Sequence, residues 1–205
     1  MGYLITAALA YLLGCSNMAF YLSKIKKVDL RSAGSGNLGA SNAMILMGWP
    51  AGIATGLHDV GKATLAVILA RIVFAQLPYI GAVAGVACVL GHMFPFFLRF
   101  KGGKGFAAYV GMVLGLNWKF ALVLMVLIVL VTVITDYIVV GTVTTTVLTP
   151  VWLGLAQRSL ITALILCVAT AVILWKHREN FVRLANGTEI GLRGGGSGKH
   201  RVKKD

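Results

Sequence analysis

Two lysines among three glycines, Lys101-Gly102-Gly103-Lys104-Gly105, stand between two apolar runs. Such a turn can hold an anion. Glycine lets the backbone come close to a ligand and point its N–H groups at it. Lysine adds point charge. A helix beginning near Lys104 brings its positive dipole end to the same spot. The same stretch opens with Gly91-His92-Met93-Phe94-Pro95. Imidazole titrates near neutrality, so His92 is the candidate base or hydrogen-bond donor.

Two other segments share this small, polar, basic character: Gly34 to Asn42 and His177 to Glu189. On a helix, His177, Asn180 and Arg183 lie on one face, and Gly187 ends that helix. Together the segments offer Ser35, Asn37, Ser41, Asn42, His92, Lys101, Lys104, His177, Asn180 and Arg183. Donors exceed acids, which suits phosphate. No carboxylate pair suits metal-dependent phosphoryl chemistry, and no Cys/His spacing suits zinc. The residues point to transfer chemistry on a phosphorylated substrate with no cofactor and no metal.

The elements that must position these groups are membrane helices. Of 205 residues, 58% are hydrophobic and only 12% charged, far too apolar for a soluble domain of this length. Runs of roughly 20 apolar residues can cross a bilayer. The fold expected is all-α, a polytopic membrane protein of about seven transmembrane helices. Its approximate spans are 3–23, 51–76, 78–100, 104–117, 118–135, 137–156 and 160–175. The fourth is short and need not cross fully, so five full crossings remain open. Residues 1–21 lack a basic leading segment and read as a retained first span. Residues 1–190 read as one membrane domain and 191–205 as a flexible basic tail.

The net charge of +13 is concentrated in a few loops and the tail. Orientation rules and anionic lipid account for it, without nucleic acid. Lys24, Lys26, Lys27 and Arg31 place the first loop in the cytoplasm, hence the N-terminus outside and the C-terminus inside. Cys15, Cys88 and Cys167 stand singly in apolar runs and serve packing. Within the second span, Asp59 and Lys62 are three apart and can pair on one helical face. That pair reads either as a structural ion pair or as a wall of the anion pocket; His58 reads as a core histidine. In the sixth span, threonine hydroxyls typically bond to their own helix, while Thr142 near the cytoplasmic end can face a phosphate.

At this point a family resemblance becomes specific. Gly34-Ser35-Gly36-Asn37-Leu38-Gly39-Ala40-Ser41-Asn42, then Gly91-His92-Met93-Phe94-Pro95 with Phe100-Lys101-Gly102-Gly103-Lys104-Gly105, then His177-Arg178-Glu179-Asn180 with Arg183, Gly187 and Glu189, stand in order. They resemble the three signature motifs of the bacterial acyl-phosphate:glycerol-3-phosphate acyltransferases, the PlsY family, over roughly residues 3–190.

The resemblance implies seven membrane helices in the bacterial cytoplasmic (inner) membrane, with the site facing the cytoplasm. It implies acyl transfer from acyl phosphate to the 1-hydroxyl of sn-glycerol 3-phosphate, giving lysophosphatidic acid and phosphate for phospholipid biosynthesis. It also implies no metal, no acyl-CoA and no covalent acyl-enzyme, with membrane lipid around a monomer. On that pattern Ser35, His92 and Asn180 are the catalytic candidates. Gly36, Asn37, Ser41, Gly102, Gly103 and Thr142 would hold the acyl-phosphate headgroup. Lys104, His177, Asn180 and Arg183 would hold glycerol phosphate, supported by Asn42, Asp59, Lys62, Lys101 and Glu189. A phosphate oxygen of a bound substrate would take the hydroxyl proton, leaving His92 to polarise by hydrogen bonding.

The chain departs from the family twice. Ser41 stands where threonine is usual, which keeps the hydroxyl. Ile45 stands where arginine is common, which removes a guanidinium. A retuned or inactive paralogue is one alternative. A transporter of phosphorylated metabolites is another, although the internal repeat usual in transporters is not visible in this sequence.

Overall fold

The computed structural model describes residues 1–193, and no strand occurs among them. A bilayer offers no water to unpaired backbone groups, so each apolar run closes its own hydrogen bonds as a helix. The first segment is broken into α1 (Gly2–Cys15) and α2 (Met18–Lys26). A short α3 (Ala40–Met47) ends at Gly48, where φ is 88°. Then follow α4 (Trp49–Val73), α5 (Ile80–Met93) with a 3-10 turn at Phe96–Leu98, and α6 (Phe106–Leu116). The last are α7 (Trp118–Thr135), α8 (Ile138–Ala156), and α9 (Leu160–Lys176), which bends by 49° into α10 (Arg178–Ala185).

Five segments are long and apolar enough to cross a bilayer: Gly2–Lys26, Trp49–Val73, Ile80–Leu98, Trp118–Thr135 and Ile138–Ala156. The bent α9–α10 pair makes a sixth. The short fourth segment is α6; its 11 residues rise about 16 Å at 1.5 Å each, half the hydrocarbon thickness of about 30 Å. All seven expected segments are thus helical. The second begins two residues early because Pro50 occupies the first turn of α4, where a missing N–H costs nothing. Helix α3 was not expected: eight residues after a glycine-rich loop carry too little periodicity to announce it.

The turns collect at two faces. Tyr3 Oη donates to the Pro78 carbonyl at 2.6 Å. Arg71 Nη1 donates to the Gly115 and Leu116 carbonyls at 3.1 and 3.3 Å. A polar cavity of about 480 Å³ at this face also touches Tyr79, Gln157 and Thr162. The three motif segments and the α7–α8 turn lie at the other face. There the backbone N–H of Leu192 donates to the Asp136 carbonyl at 2.7 Å, and that of Arg193 to Asp136 Oδ1 at 2.9 Å. The expected tail from 191 is therefore held down as far as Arg193. Residues 194–205, including the run Gly194 to Gly198, fall outside the described residues.

Small residues let the helices close on the site. A Cβ on Gly14 would overlap the Cys88 carbonyl, and one on Gly91 would overlap that of Tyr11, so α1 and α5 touch backbone to backbone. Such close approach is how helices associate in lipid. Tyr109 is fully buried; its hydroxyl donates to the Thr146 carbonyl at 3.0 Å and lies 3.2 Å from Thr170 Oγ1, joining α6, α8 and α9. Thr145, Thr146 and Thr149 donate to carbonyls of their own helix at 2.8, 2.7 and 2.8 Å, as expected of a packing helix.

Candidate active site

The first motif is wrapped around one side chain. Asn42 is fully buried. Its Oδ1 accepts from the Ser35 backbone N–H at 2.8 Å, and its Nδ2 donates to the Leu30 and Asn37 carbonyls at 2.8 and 2.9 Å. Gly34 sits at φ 61°, with no room for a Cβ beside Asn42 Oδ1. Asn42 thus shapes the loop and presents Ser35, exposed, with its Oγ accepting from Asn37 Nδ2 at 2.9 Å. Ser41 is exposed in the first turn of α3, and Ile45, one turn on, is 63% exposed. Arg31 Nη2 donates to the Leu98 and Lys101 carbonyls, both at 3.4 Å, tying this loop to the second motif.

The second motif folds back on the end of α5. The amide of Gly102 donates to the Met93 carbonyl at 3.1 Å and that of Gly103 to the His92 carbonyl at 3.2 Å. These N–H groups are engaged within the chain, which corrects the expectation that they point at an anion. What the glycines supply is space: a Cβ on Gly103 would overlap His92 Nε2, and one on Gly102 would overlap the His92 carbonyl. The amides left over at this turn are those of the first turn of α6, directly after Gly105, which carry the helix's partial positive charge.

Beneath the turn lies a buried ionic cluster. Lys62 Nζ is 2.9 Å from Asp59 Oδ1, the pair expected from their spacing. The same Nζ donates to the Ser16 carbonyl at 2.6 Å and lies 3.0 Å from His92 Nδ1. His92 Nδ1 is also 3.2 Å from Asp59 Oδ1. His58 spans Asp59 Oδ1 at 3.4 Å and Ser16 Oγ at 3.0 Å. The Ser16 carbonyl is available because the first crossing breaks there. Asn17 caps α2 by accepting from the Phe20 N–H at 2.8 Å, and its Nδ2 donates to the Leu38 carbonyl at 3.2 Å. Irregular backbone at this depth is tolerated because protein covers it.

The third motif meets the second through Lys104. Its Nζ donates to Asn180 Oδ1 at 2.5 Å. Asn180 Nδ2 donates to Glu189 Oε1 at 2.6 Å, and Arg183 Nε donates to Glu189 Oε2 at 2.7 Å. Gly187, at φ 65°, turns the chain so that the Thr188 amide reaches the Arg183 carbonyl at 2.8 Å and Glu189 lies back on α10. His177 is buried, with Nδ1 donating to the Ile173 carbonyl at 2.8 Å. Burial, and then the nearby Arg183 guanidinium, push the Lys104 ammonium below the ordinary lysine value. A bound anion would relieve both effects.

The motifs therefore meet around Gly103: His92 Nε2 faces its Cα, the Leu38 carbonyl lies beside it, and Lys104 leaves toward Asn180 and Arg183. Lys101 is exposed, and its carbonyl takes Arg31. Thr142 is buried one turn before Thr146 on α8; its carbonyl accepts from Thr145 and Thr146, and its hydroxyl has no hydrogen bond among the described residues. A narrow apolar crevice lined by Phe106, Tyr109, Val110, Val113, Leu124 and Ile128 begins beside this turn and follows α6 and α7. Sequence reasoning missed Ser16, Asn17 and Leu38. The two adjacent polar residues at 16–17, inside an otherwise apolar span, were the available signal.

Comparison with known proteins identifies the family and the fold. A sequence profile for the family described as glycerol-3-phosphate acyltransferase matches residues 4–187. The chain is 38% identical over 193 residues to a glycerol-3-phosphate acyltransferase of Coxiella burnetii (strain CbuG_Q212), covering 92% of this chain and 97% of that one. It is 35% identical over 190 residues to the protein of that name from Thermoanaerobacter pseudethanolicus, covering 92% and 94%. It superposes with a TM-score of 0.87 and 32% identity on the crystal structure of PlsY (YgiH), an integral membrane glycerol 3-phosphate acyltransferase in its glycerol 3-phosphate form, covering 94% and 96%. The lysophosphatidic acid form gives 0.84 and 31%, covering 93% and 95%.

Proposed function

Because the chain belongs to the glycerol-3-phosphate acyltransferase family and has the fold of an integral membrane member, we propose that its acyl donor is acyl phosphate and its products are 1-acyl-glycerol 3-phosphate and inorganic phosphate. The O1 hydroxyl of glycerol 3-phosphate attacks the acyl carbonyl carbon. The bond from that carbon to the phosphate oxygen breaks. The hydroxyl proton passes to a phosphate oxygen of a bound substrate, so atoms and charge balance without a metal or an acyl-enzyme.

One observation carries this reading: a surplus of positive charge faces inward from two motifs across a single glycine turn. Lys104 and Arg183 share one carboxylate, Glu189, with Asn180 between them. That cluster holds the glycerol phosphate, with His177 below it. Ser35, Asn37 and Ser41 on the first loop, Thr142 on α8 and the first-turn amides of α6 are the candidate holders of the acyl-phosphate headgroup, beside the turn that Gly102 and Gly103 let pack onto His92. Aligning two repelling anions is most of the catalytic task, because phosphate is already a good leaving group. The acyl chain enters from lipid along the apolar crevice beside α6. The basic face carrying the motifs lies in the cytoplasm, in keeping with the charge asymmetry between Lys24, Lys26, Lys27, Arg31, Arg99, Lys101 and Lys104 on that side and Arg71, Lys119 and Arg158 on the other.

The test supplies purified protein with palmitoyl phosphate or palmitoyl-CoA, each with and without glycerol 3-phosphate. Lysophosphatidate and phosphate should appear together with the acyl phosphate alone. Product formation from the thioester at an equal rate, or none from either donor with folded protein, overturns the proposal.

A further inference from the structure

The buried cluster under the glycine turn assigns a proton, and with it a chemical role. Lys62 is 5% exposed and lies within the membrane-spanning part of α4. An ammonium has three donors and no acceptor. Lys62 Nζ has three acceptors in reach: the Ser16 carbonyl at 2.6 Å, Asp59 Oδ1 at 2.9 Å and His92 Nδ1 at 3.0 Å. If Nδ1 itself carried a proton, it would confront a Lys62 N–H, and one buried ammonium hydrogen would have no partner. A buried donor without an acceptor is costly. The count closes with Nδ1 accepting.

We propose that Lys62 is a positioning residue which fixes neutral His92 as the Nε2–H tautomer, so that His92 donates a hydrogen bond to a substrate oxygen and does not act as the base. His92 is 2% exposed. Its Nε2 has no hydrogen-bond partner among the described residues and packs against Gly103, filling the position a Cβ would take, with the Leu38 carbonyl alongside. A donor left unpartnered there, where the first and second motifs meet, stabilises charge gathering on the acyl carbonyl or the leaving phosphate. Asp59 Oδ1, 2.9 Å from its Nζ, holds Lys62 in place. His58 Nδ1 approaches the same Asp59 oxygen more distantly, at 3.4 Å. His177 shows the opposite arrangement, because a carbonyl can only accept: Ile173 makes Nδ1 the donor there. The inference rests on the acyl-transfer reading for the identity of the oxygen, but the tautomer does not depend on it.

The experiment is 15N NMR of histidine-labelled, substrate-free protein in detergent at about pH 8, above the ordinary imidazole value. Protonated and bare ring nitrogens resonate far apart, and a His92→Gln sample assigns the His92 signals by difference. The expected spectrum has His92 protonated at Nε2 and His177 at Nδ1. Protonation of His92 at Nδ1 overturns the proposal whatever the enzyme's donor proves to be. In Lys62→Met, Asp59 becomes the acceptor for Nδ1–H and the tautomer switches. kcat should then fall by about 10²–10³-fold, the usual effect of losing one transition-state donor, with KM for glycerol 3-phosphate nearly unchanged. If Lys62→Met does not fold, the wild-type spectrum still decides the matter. A folded Lys62→Met with the original tautomer counts against Lys62 as its cause.

Discussion

Two polar clusters flank the same glycine turn, and they are built on opposite rules. Asp59, Lys62 and His92 are buried and balanced: one cation, one anion, and each Lys62 hydrogen with an acceptor. Lys104 and Arg183, both half-buried, set two cations against the one carboxylate of Glu189, with buried Asn180 between them. The first has nothing left over for a ligand except His92 Nε2. The second has a charge to spare. A cluster that maintains a fold must be saturated where it is dry; one that binds an anion must remain incomplete until the anion arrives.

If that contrast is right, removing Asp59 breaks the molecule and removing Lys104 does not. Asp59→Ala leaves the Lys62 ammonium buried without a counter-ion, a class of change that costs about 3–5 kcal/mol. A loss of the cooperative thermal transition in detergent, or a large fall in its midpoint, is the expected result. A transition close to wild type would show that water or lipid reaches the pair and that it is not a sealed structural cluster.

Lys104→Ala is the converse test, and the next in size. The thermal transition should stay near wild type, because Lys104 is half-buried and Asn180 and Arg183 remain joined through Glu189. A charge-assisted hydrogen bond to a phosphate is worth about 1.5–3 kcal/mol. KM for glycerol 3-phosphate should therefore rise by roughly 10–150-fold. An unchanged KM would remove Lys104 from the binding site.

Much of this contrast was legible in residue types, and some of it was not. The Asp59–Lys62 pair follows from a three-residue spacing on a helix, and the alignment of Asn180 with Arg183 follows from the same arithmetic on α10. The long apolar runs announced the helices, because lipid leaves the backbone no alternative. Three features depended on tertiary placement. The break at Ser16–Asn17 matters because its carbonyl meets Lys62, 46 residues away. Glu189 links Asn180 to Arg183 because Gly187 turns the chain back on itself. The amides of Gly102 and Gly103 are engaged by α5, whereas local sequence suggested an open cradle for them. No periodicity carries such information.

A milder perturbation separates the clusters by pH. Burial and the neighbouring Arg183 lower the Lys104 pKa, so its ammonium deprotonates below the ordinary value of about 10.4. The sign follows directly: as pH rises through that depressed value, the site loses a cation and holds phosphate less well. KM for glycerol 3-phosphate should climb in the alkaline range at a lower pH than a free lysine would give. In Lys104→Arg, whose guanidinium stays charged, that climb should disappear. Persistence of the same climb in the arginine variant would assign it to another group.

The smallest expected effect concerns Ile45. It lies on the exposed side of α3, one turn beyond Ser41, while Ala40 and Met44 pack against Gly52 of α4. An isoleucine there neither fills the core nor addresses an anion. Ile45→Arg therefore adds a cation near the first loop without disturbing packing. At so exposed a position a charge pair contributes about 0–1 kcal/mol, so KM for an anionic substrate should fall by up to about fivefold. The gain should be largest at low ionic strength, because screening erodes exposed pairs. An increase in kcat with KM unmoved would mean instead that position 45 acts in the transition state, and would extend the incomplete, anion-seeking cluster onto the first motif.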